Sequence, residues 1–280
     1  YNSKFATEDI RIRGIKMKDD VIVKFENVSK EYKAQDGTST ILKNVNFEIQ
    51  KNSVTIIFGP SGSGKSTILN MILGLLEPTS GKIMVNNQDL YQFNQNERAK
   101  FRAQYFGSVH QTNSWVNSLN VVENIAMPLY LTGMEFNEAN EKAKESLKRV
   151  GLEEYAEYSP LVLSVGQQQR VSMARATVSI PMLLLGDEPT GSLDSENGDK
   201  LMQFIVSFSS HNDSTIILVT HNSDYLPMSS HRIFIHDGVV AEEKGAFQAD
   251  MNSSAVRVEE MIKVANAVKE AKLKKKNKKK

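Results

Sequence analysis

Gly59-Pro60-Ser61-Gly62-Ser63-Gly64-Lys65-Ser66-Thr67 decides the fold of this 280-residue chain. Gly59, Gly64, Lys65 and Ser66 carry the spacing of a phosphate-binding loop. At average residue frequencies that spacing arises by chance in roughly one chain of this length in a hundred. The flanking residues agree with it. Ser53-Val54-Thr55-Ile56-Ile57-Phe58 is a short apolar run rich in β-branched residues, suited to a buried parallel strand. Ser66–Leu76 reads as a helix with Ile68, Leu69, Ile72 and Leu75 turned inward. The glycines let backbone N–H groups converge on phosphate oxygens, and the helix N-terminus adds positive potential. Lys65 is expected to reach the β- and γ-phosphates of a nucleotide, and the Ser66 hydroxyl to ligate Mg2+.

Outward from the loop, Val21–Phe25 and Val45–Ile49 alternate as strands, and a Pro78-Thr79-Ser80-Gly81 turn leads to a strand at Ile83–Val85. From about Asn94 to Thr177 the character is mostly helical. Asn137–Val150 carries good helix formers with charges on one face, and Gly151 fits its C-terminal cap. The β pattern resumes at Met182–Leu185, Thr215–Val219 and Arg232–Ile235. This order predicts one composite α/β domain over residues 21–247, with a helical subdomain at about 94–177 inserted into it. Residues 1–20 form a charged N-terminal extension. Within 248–280, Val258, Met261, Ile262, Ala265 and Val268 trace an amphipathic helix ahead of a lysine run.

Apolar residues make up 40% and charged residues 24%, the balance of a globular chain. There is no cysteine, which excludes a disulfide framework and thiolate chemistry and fits a reducing compartment. No uninterrupted apolar run approaches the length of a membrane span, and no secretory signal pattern is present. The net charge of +1 divides into +7 over Lys269–Lys280 and −6 over the rest. A mildly acidic body offers no general nucleic-acid surface, so no nucleic-acid partner is expected. Three readings of the tail stand, and in one the lysines precede a membrane helix on its cytoplasmic side. In the others, Lys274–Lys280 rest on anionic lipid, at about 1 kcal/mol per lysine, or they form a solvated segment.

A second group of residues follows the helical stretch. Met182-Leu183-Leu184-Leu185-Gly186-Asp187-Glu188 is an apolar strand ending in two acids. Asp187 is placed to hold Mg2+ through water, and Glu188 to act as general base toward an attacking water, an effect worth about 10²–10⁴ in rate. Alone, Asp187-Glu188-Pro189-Thr190 is an ordinary turn after a strand. Its position 122 residues after Lys65 favours the catalytic reading. So does its closeness to Leu163-Ser164-Val165-Gly166-Gln167-Gln168-Gln169-Arg170-Val171-Ser172-Met173-Ala174-Arg175.

Over about residues 21–240 the chain resembles the ATP-binding-cassette (ABC) family, with its motifs in the same order and spacing. The resemblance implies a P-loop NTPase (RecA-like) core, an antiparallel β subdomain and an inserted helical subdomain, with ATP and Mg2+ bound. It implies that Tyr32, after Val28-Ser29-Lys30-Glu31, stacks on adenine, although by residue type alone Tyr32 also fits a tyrosine packing a strand end. Gln111, in Val109-His110-Gln111, matches the glutamine that touches Mg2+ and the attacking water and couples to the membrane partner. His221, after Val219-Thr220, matches the switch histidine at the γ-phosphate. Asp194, in Gly191-Ser192-Leu193-Asp194, matches a loop linking the two sites of a dimer. Ser164 and Gly166 match the signature that binds the γ-phosphate of ATP held by the opposite subunit.

Val165 departs from the family's signature glycine. Valine adds β-branched bulk and disfavours positive φ, so weakened or altered closure of the dimer is expected. Gln167–Val171 and Val122–Leu129 look most like a bacterial branch serving lipoprotein release, macrolide export, antimicrobial-peptide resistance and cell division. The resemblance therefore implies an ATPase in a homodimer or pseudo-symmetric cassette pair. It would drive an integral membrane permease, for export, extraction or mechanotransmission, from the cytoplasmic face of the membrane. A membrane scaffold and a soluble ABC ATPase acting on ribosomes or DNA are the alternatives. Trp115, the sole tryptophan, has two readings, contact with the permease's coupling helix or packing within the chain.

Overall fold

The computed structural model describes residues 20–34, 37–112 and 114–244. The expected N-terminal extension, apart from residue 20, and the expected C-terminal helix and lysine tail lie outside the described residues.

The chain opens with a hairpin, β1 (Val21–Ala34) and β2 (Gly37–Gln50), followed by β3 (Val54–Phe58) and, after the phosphate loop, α1 (Lys65–Ile72). β4 (Ser80–Val85) and β5 (Gln88–Asp89) complete an antiparallel sheet of order β2-β1-β4-β5. Next come α2 (Gln95–Tyr105), β6 (Phe106–His110), α3 (Val121–Leu131), α4 (Phe136–Arg149) and α5 (Val165–Thr177). The remaining elements are β7 (Leu183–Asp187), α6 (Ser195–Asn212), β8 (Thr215–Thr220), β9 (His231–His236) and β10 (Val239–Lys244). The second sheet has the order β10-β9-β3-β8-β7-β6, parallel throughout except for β10.

The burial pattern explains the two sheets. β8 is buried at all six positions, as a parallel strand covered on both faces must be. Its neighbour β3 alternates between two cores. Ile57 packs with β1, β2 and α1, whereas Ile56 packs toward α6. Beyond the consecutively buried Val21–Val23, the antiparallel hairpin buries one face, with Phe25 stacked on its cross-strand partner Phe47 at 4.3 Å. A third core joins α3, α4 and α5. This is the P-loop NTPase architecture, with an antiparallel sheet and a helical group beside the parallel sheet. No helix among the described residues is long and apolar enough to cross a membrane.

Two expectations are corrected. Leu75 is 58% exposed and lies beyond the end of α1. The helix stops because Gly74 takes φ +66°, and the N–H groups of Gly74 and Leu75 bond back to the Met71 and Asn70 carbonyls, a Schellman closure. Within the stretch read as mostly helical, β6 is a strand at the edge of the parallel sheet, paired with β7. It spans only five residues, Phe-Gly-Ser-Val-His, too few for a period to show. The helix expected at 137–150 forms as α4, and Gly151 follows its end at φ +67°.

Gly107 of β6 sits directly under the end of α5. A Cβ there would overlap the Ala176 carbonyl oxygen and press on Pro181. Gly107→Ala is therefore expected to cost about 1–3 kcal/mol through overpacking. Urea unfolding of the purified chain measures this, and an unchanged midpoint and slope would contradict it.

Candidate active site

Sheet register builds the site. Phe58 pairs with Thr220, and Asp187 pairs with both Val219 and His110. Four parallel strands thus end side by side, and the residues that follow each one emerge on a single edge. They are the phosphate loop after β3, His221 after β8, Glu188 after β7 and Gln111 after β6. Ligands of open parallel sheets bind at this carboxyl edge.

There a cleft of about 790 Å³ is lined by Tyr32, Pro60, Ser61, Gly62, Gly64, Lys65, Ser66, Thr67, Gln111, Asp187, Glu188 and His221, with Ile41 beside them. Two loop residues lie below its surface. Gly59 is pressed on β9, where a Cβ would overlap the Ile235 carbonyl. Ser63 is buried, and its hydroxyl has no hydrogen-bond partner among the described residues. Tyr32, 43% exposed near the end of β1, presents an open ring, and Lys30 Nζ lies 5.0 Å from the ring centre.

Lys65 is buried at the start of α1, and its ammonium donates to the carbonyls of Gly59 (2.8 Å) and Pro60 (2.9 Å). Burial pushes its pKa down, opposed by the nearby Glu188 and Asp187 carboxylates. Ser66 Oγ donates to Asp187 Oδ1 at 3.2 Å. A hydroxyl, a carboxylate and the Gln111 amide oxygen are hard donors few enough to leave room for water and phosphate. That donor set fits Mg2+.

Glu188 holds φ +48°, a left-handed conformation costly for a residue with a Cβ. Backbone bonds fix it there: its N–H donates to Val219 O (2.9 Å), and its carbonyl accepts from Gly191 N–H (3.0 Å). The side chain is mostly buried, with Oε1 2.8 Å from His221 Nδ1. The histidine is exposed, so the pair presents one shielded carboxylate and one accessible imidazole.

Ser164, Gly166 and Asp194 do not line this cleft. Ser164 caps α5: its Oγ accepts from Gln167 N–H (3.3 Å), and Gln167 Oε1 accepts from Ser164 N–H (2.9 Å). Gly166 faces a separate cavity with Arg170 and Leu193. Asp194 caps α6, accepting from Asn197 N–H (2.9 Å) and Nδ2–H (2.8 Å), and these bonds hold its pKa below the usual carboxylate value. Val165 is the first residue of α5, is 57% exposed, and has a negative φ. The disfavour of valine for positive φ costs nothing here, because a helical first turn needs no positive φ.

Sequence reasoning missed Gln169. It is fully buried, and its amide donates to Pro189 O (2.8 Å) and His110 O (3.4 Å), joining the ends of β7 and β6. Its helical spacing to Met173 and Ala176, which face the sheet, was the available signal. Trp115 packs within the chain. Its Nε1–H donates to Gln168 Oε1 (2.9 Å), and the Arg175 guanidinium covers the ring at 4.6 Å.

Comparison with known proteins places these residues in a family. Residues 42–191 match the ABC transporter family. The ATP-binding protein YtrE of Bacillus subtilis is 40% identical over 74% of this chain and 90% of its own length. LolD, the ATP-binding protein of the lipoprotein-releasing system in Colwellia psychrerythraea, is 39% identical over 70% of this chain and 76% of its own. The dimeric cassette MJ0796, solved in a post-hydrolysis state with ADP and Pi, superposes with a TM-score of 0.75. It is 38% identical and covers 80% of this chain and 98% of that one. The family match spans the phosphate loop, Gln111, Asp187 and Glu188, and with the relatives it shows that this chain belongs to the ABC transporter family, as an ATP-binding and ATP-hydrolysing subunit of the lipoprotein-release and macrolide-export branch.

Proposed function

We propose that the chain hydrolyses ATP in a head-to-tail pair of cassettes and thereby drives an integral membrane permease from the cytoplasmic face of the membrane. The observation that carries this reading is the Glu188–His221 pair at 2.8 Å, sharing one cleft with the Ser66–Asp187 contact and Lys65. The phosphates lie over Gly59–Thr67, where backbone amides and the α1 N-terminus meet their charge. Lys65 turns its ammonium from the loop carbonyls to the β- and γ-phosphates. Adenine stacks on Tyr32. Ser66, Asp187 and Gln111 would hold Mg2+, which when bound neutralises phosphate charge.

Glu188 accepts a proton from water as the water oxygen bonds to the γ-phosphorus. The bond from that phosphorus to the bridging oxygen breaks, and ADP leaves with the electron pair. His221 orients the Glu188 carboxylate through Nδ1 and, being exposed, has its other ring nitrogen available to the γ-phosphate. The strained backbone of Glu188 keeps the base aimed before substrate arrives, a form of preorganisation.

Ser164, Gly166 and Asp194 sit on surface outside their own cleft, which supports a role toward a partner's nucleotide. The dimeric MJ0796 cassette supports the same pairing. The names of the relatives, transporter subunits and a lipoprotein-releasing system, support a permease partner. Because Val165 carries no backbone conflict, its effect is confined to bulk at this exposed turn.

Glu188→Gln is expected to lower turnover by about 10²–10⁴ while an ATP-bound dimer persists on size-exclusion chromatography. Full turnover in that variant would remove Glu188 from its role. Val165→Gly is expected to raise turnover by roughly threefold, about 0.7 kcal/mol of easier closure. Unaltered turnover and dimer formation would show that the valine is neutral.

A further inference from the structure

We propose that Trp115 is a positioning residue: it clasps the loop that carries Gln111 onto α5 between Gln168 and Arg175, so that Gln111 and the Ser164–Gly166 turn move together. This rests on the reading that Gln111 serves the ATP cleft.

Two consecutive glutamines of α5 hold the chain on either side of Gln111. Gln169 Nε2–H donates to His110 O at 3.4 Å, immediately before it. Gln168 Oε1 accepts from Trp115 Nε1–H at 2.9 Å, four residues after it. The Gln168 amide is oriented from its other end as well, because Nε2–H donates to Leu163 O at 3.0 Å. Leu163 directly precedes Ser164, so one side chain links the tryptophan to the turn that presents the signature. Arg175 lies seven residues beyond Gln168, on the same helical face. Its guanidinium covers the indole at 4.6 Å and donates to Ser114 O at 2.7 Å. The far side of the loop is fixed by the fully buried Asn124. Its Oδ1 accepts from Val116 N–H (3.0 Å), and its Nδ2 donates to the carbonyls of Val116, Leu119 and Asn120.

Gln111 therefore lies between anchors at His110 and Ser114–Trp115, both on α5. A shift of α5 that re-aims Ser164 must carry Gln111 with it. Conversely, a contact made by Gln111 in the cleft is felt at the signature turn. The indole is suited to this task because its face takes the cation and its edge supplies the donor. Phenylalanine retains the first function and loses the second.

The test uses the full chain and compares kcat and KM for ATP in wild type, Trp115→Phe, Gln168→Leu and the double variant, normalised to bound ATP per chain. Glu188→Gln serves as control. Each single variant is expected to lower kcat about three- to tenfold with KM within about twofold. The double variant is expected to fall no further than Gln168→Leu alone, since the bond lost in Trp115→Phe is already lost with Gln168. Wild-type kcat in the single variants, or losses that multiply in the double, would overturn the clasp. Should a variant fail to fold, hydrogen exchange on the wild type decides. ATP is expected to protect residues 110–120 and 163–170 in parallel, and independent protection would refute the link. Loss of turnover in Glu188→Gln beside a fully active Trp115→Phe removes the clasp alone, whereas an active Glu188→Gln removes the catalytic reading beneath it.

Discussion

Helix α5 is buried on two opposite sides, and much of the molecule is organised around that double contact. Met173 and Ala176 pack into the core between the parallel sheet and α6, while Val171, Ala174 and Val178 pack into the core shared with α3 and α4. A helix with apolar residues on two faces cannot slide on one core without disturbing the other, because both are close-packed. Gly107 permits the closest part of that approach by removing a side chain from beneath Ala176. The consequence for function is geometric. The exposed first turn, Ser164 to Gly166, is tied through this helix to both cores, so it shifts only together with what α5 carries.

The cleft is a product of register more than of any one motif. Residues as distant in sequence as Tyr32 and His221 line one cleft because β3, β8, β7 and β6 end side by side and the end of β1 brings Tyr32 to the same space. Several local penalties gather there. Lys65 is desolvated, Ser63 Oγ is buried with no partner among the described residues, and Glu188 is held in a left-handed conformation. Such penalties persist only where surrounding structure enforces them. The backbone bonds of Glu188 to β8 and to Gly191 show that enforcement directly. Left-handed backbone also occurs away from the cleft, as at Ile180 (φ +49°), but in the cleft it coincides with a desolvated lysine and a shielded carboxylate, a combination that suits a site arranged for its substrate.

The parts legible in sequence were those whose chemistry demands particular residues at fixed spacing. The phosphate loop needs small residues and a lysine, and the apolar runs at β3, β7 and β8 need burial on both faces, so these could be read directly. What could not be read depends on distant partners. β6 is a strand because β7 offers an edge, not because five residues alternate. Leu75 turns outward because Gly74 closes the helix before it. Val165 drew attention as a departure in a motif, yet its backbone setting follows from Ser164 capping a helix that starts at that residue. Ser164 and Asp194 show a related point, since each already serves as a helix cap within its own chain. Gln169 was hidden in a run of three glutamines until the helix assigned its face.

Dependence of ATPase turnover on protein concentration tests most directly whether two copies complete each site. If Ser164 and Gly166 of one chain act on ATP bound to another, specific activity rises with chain concentration and levels off once the pair is saturated. Specific activity that stays constant over roughly a hundredfold range, with the chain monomeric throughout, would contradict a site shared between two cassettes.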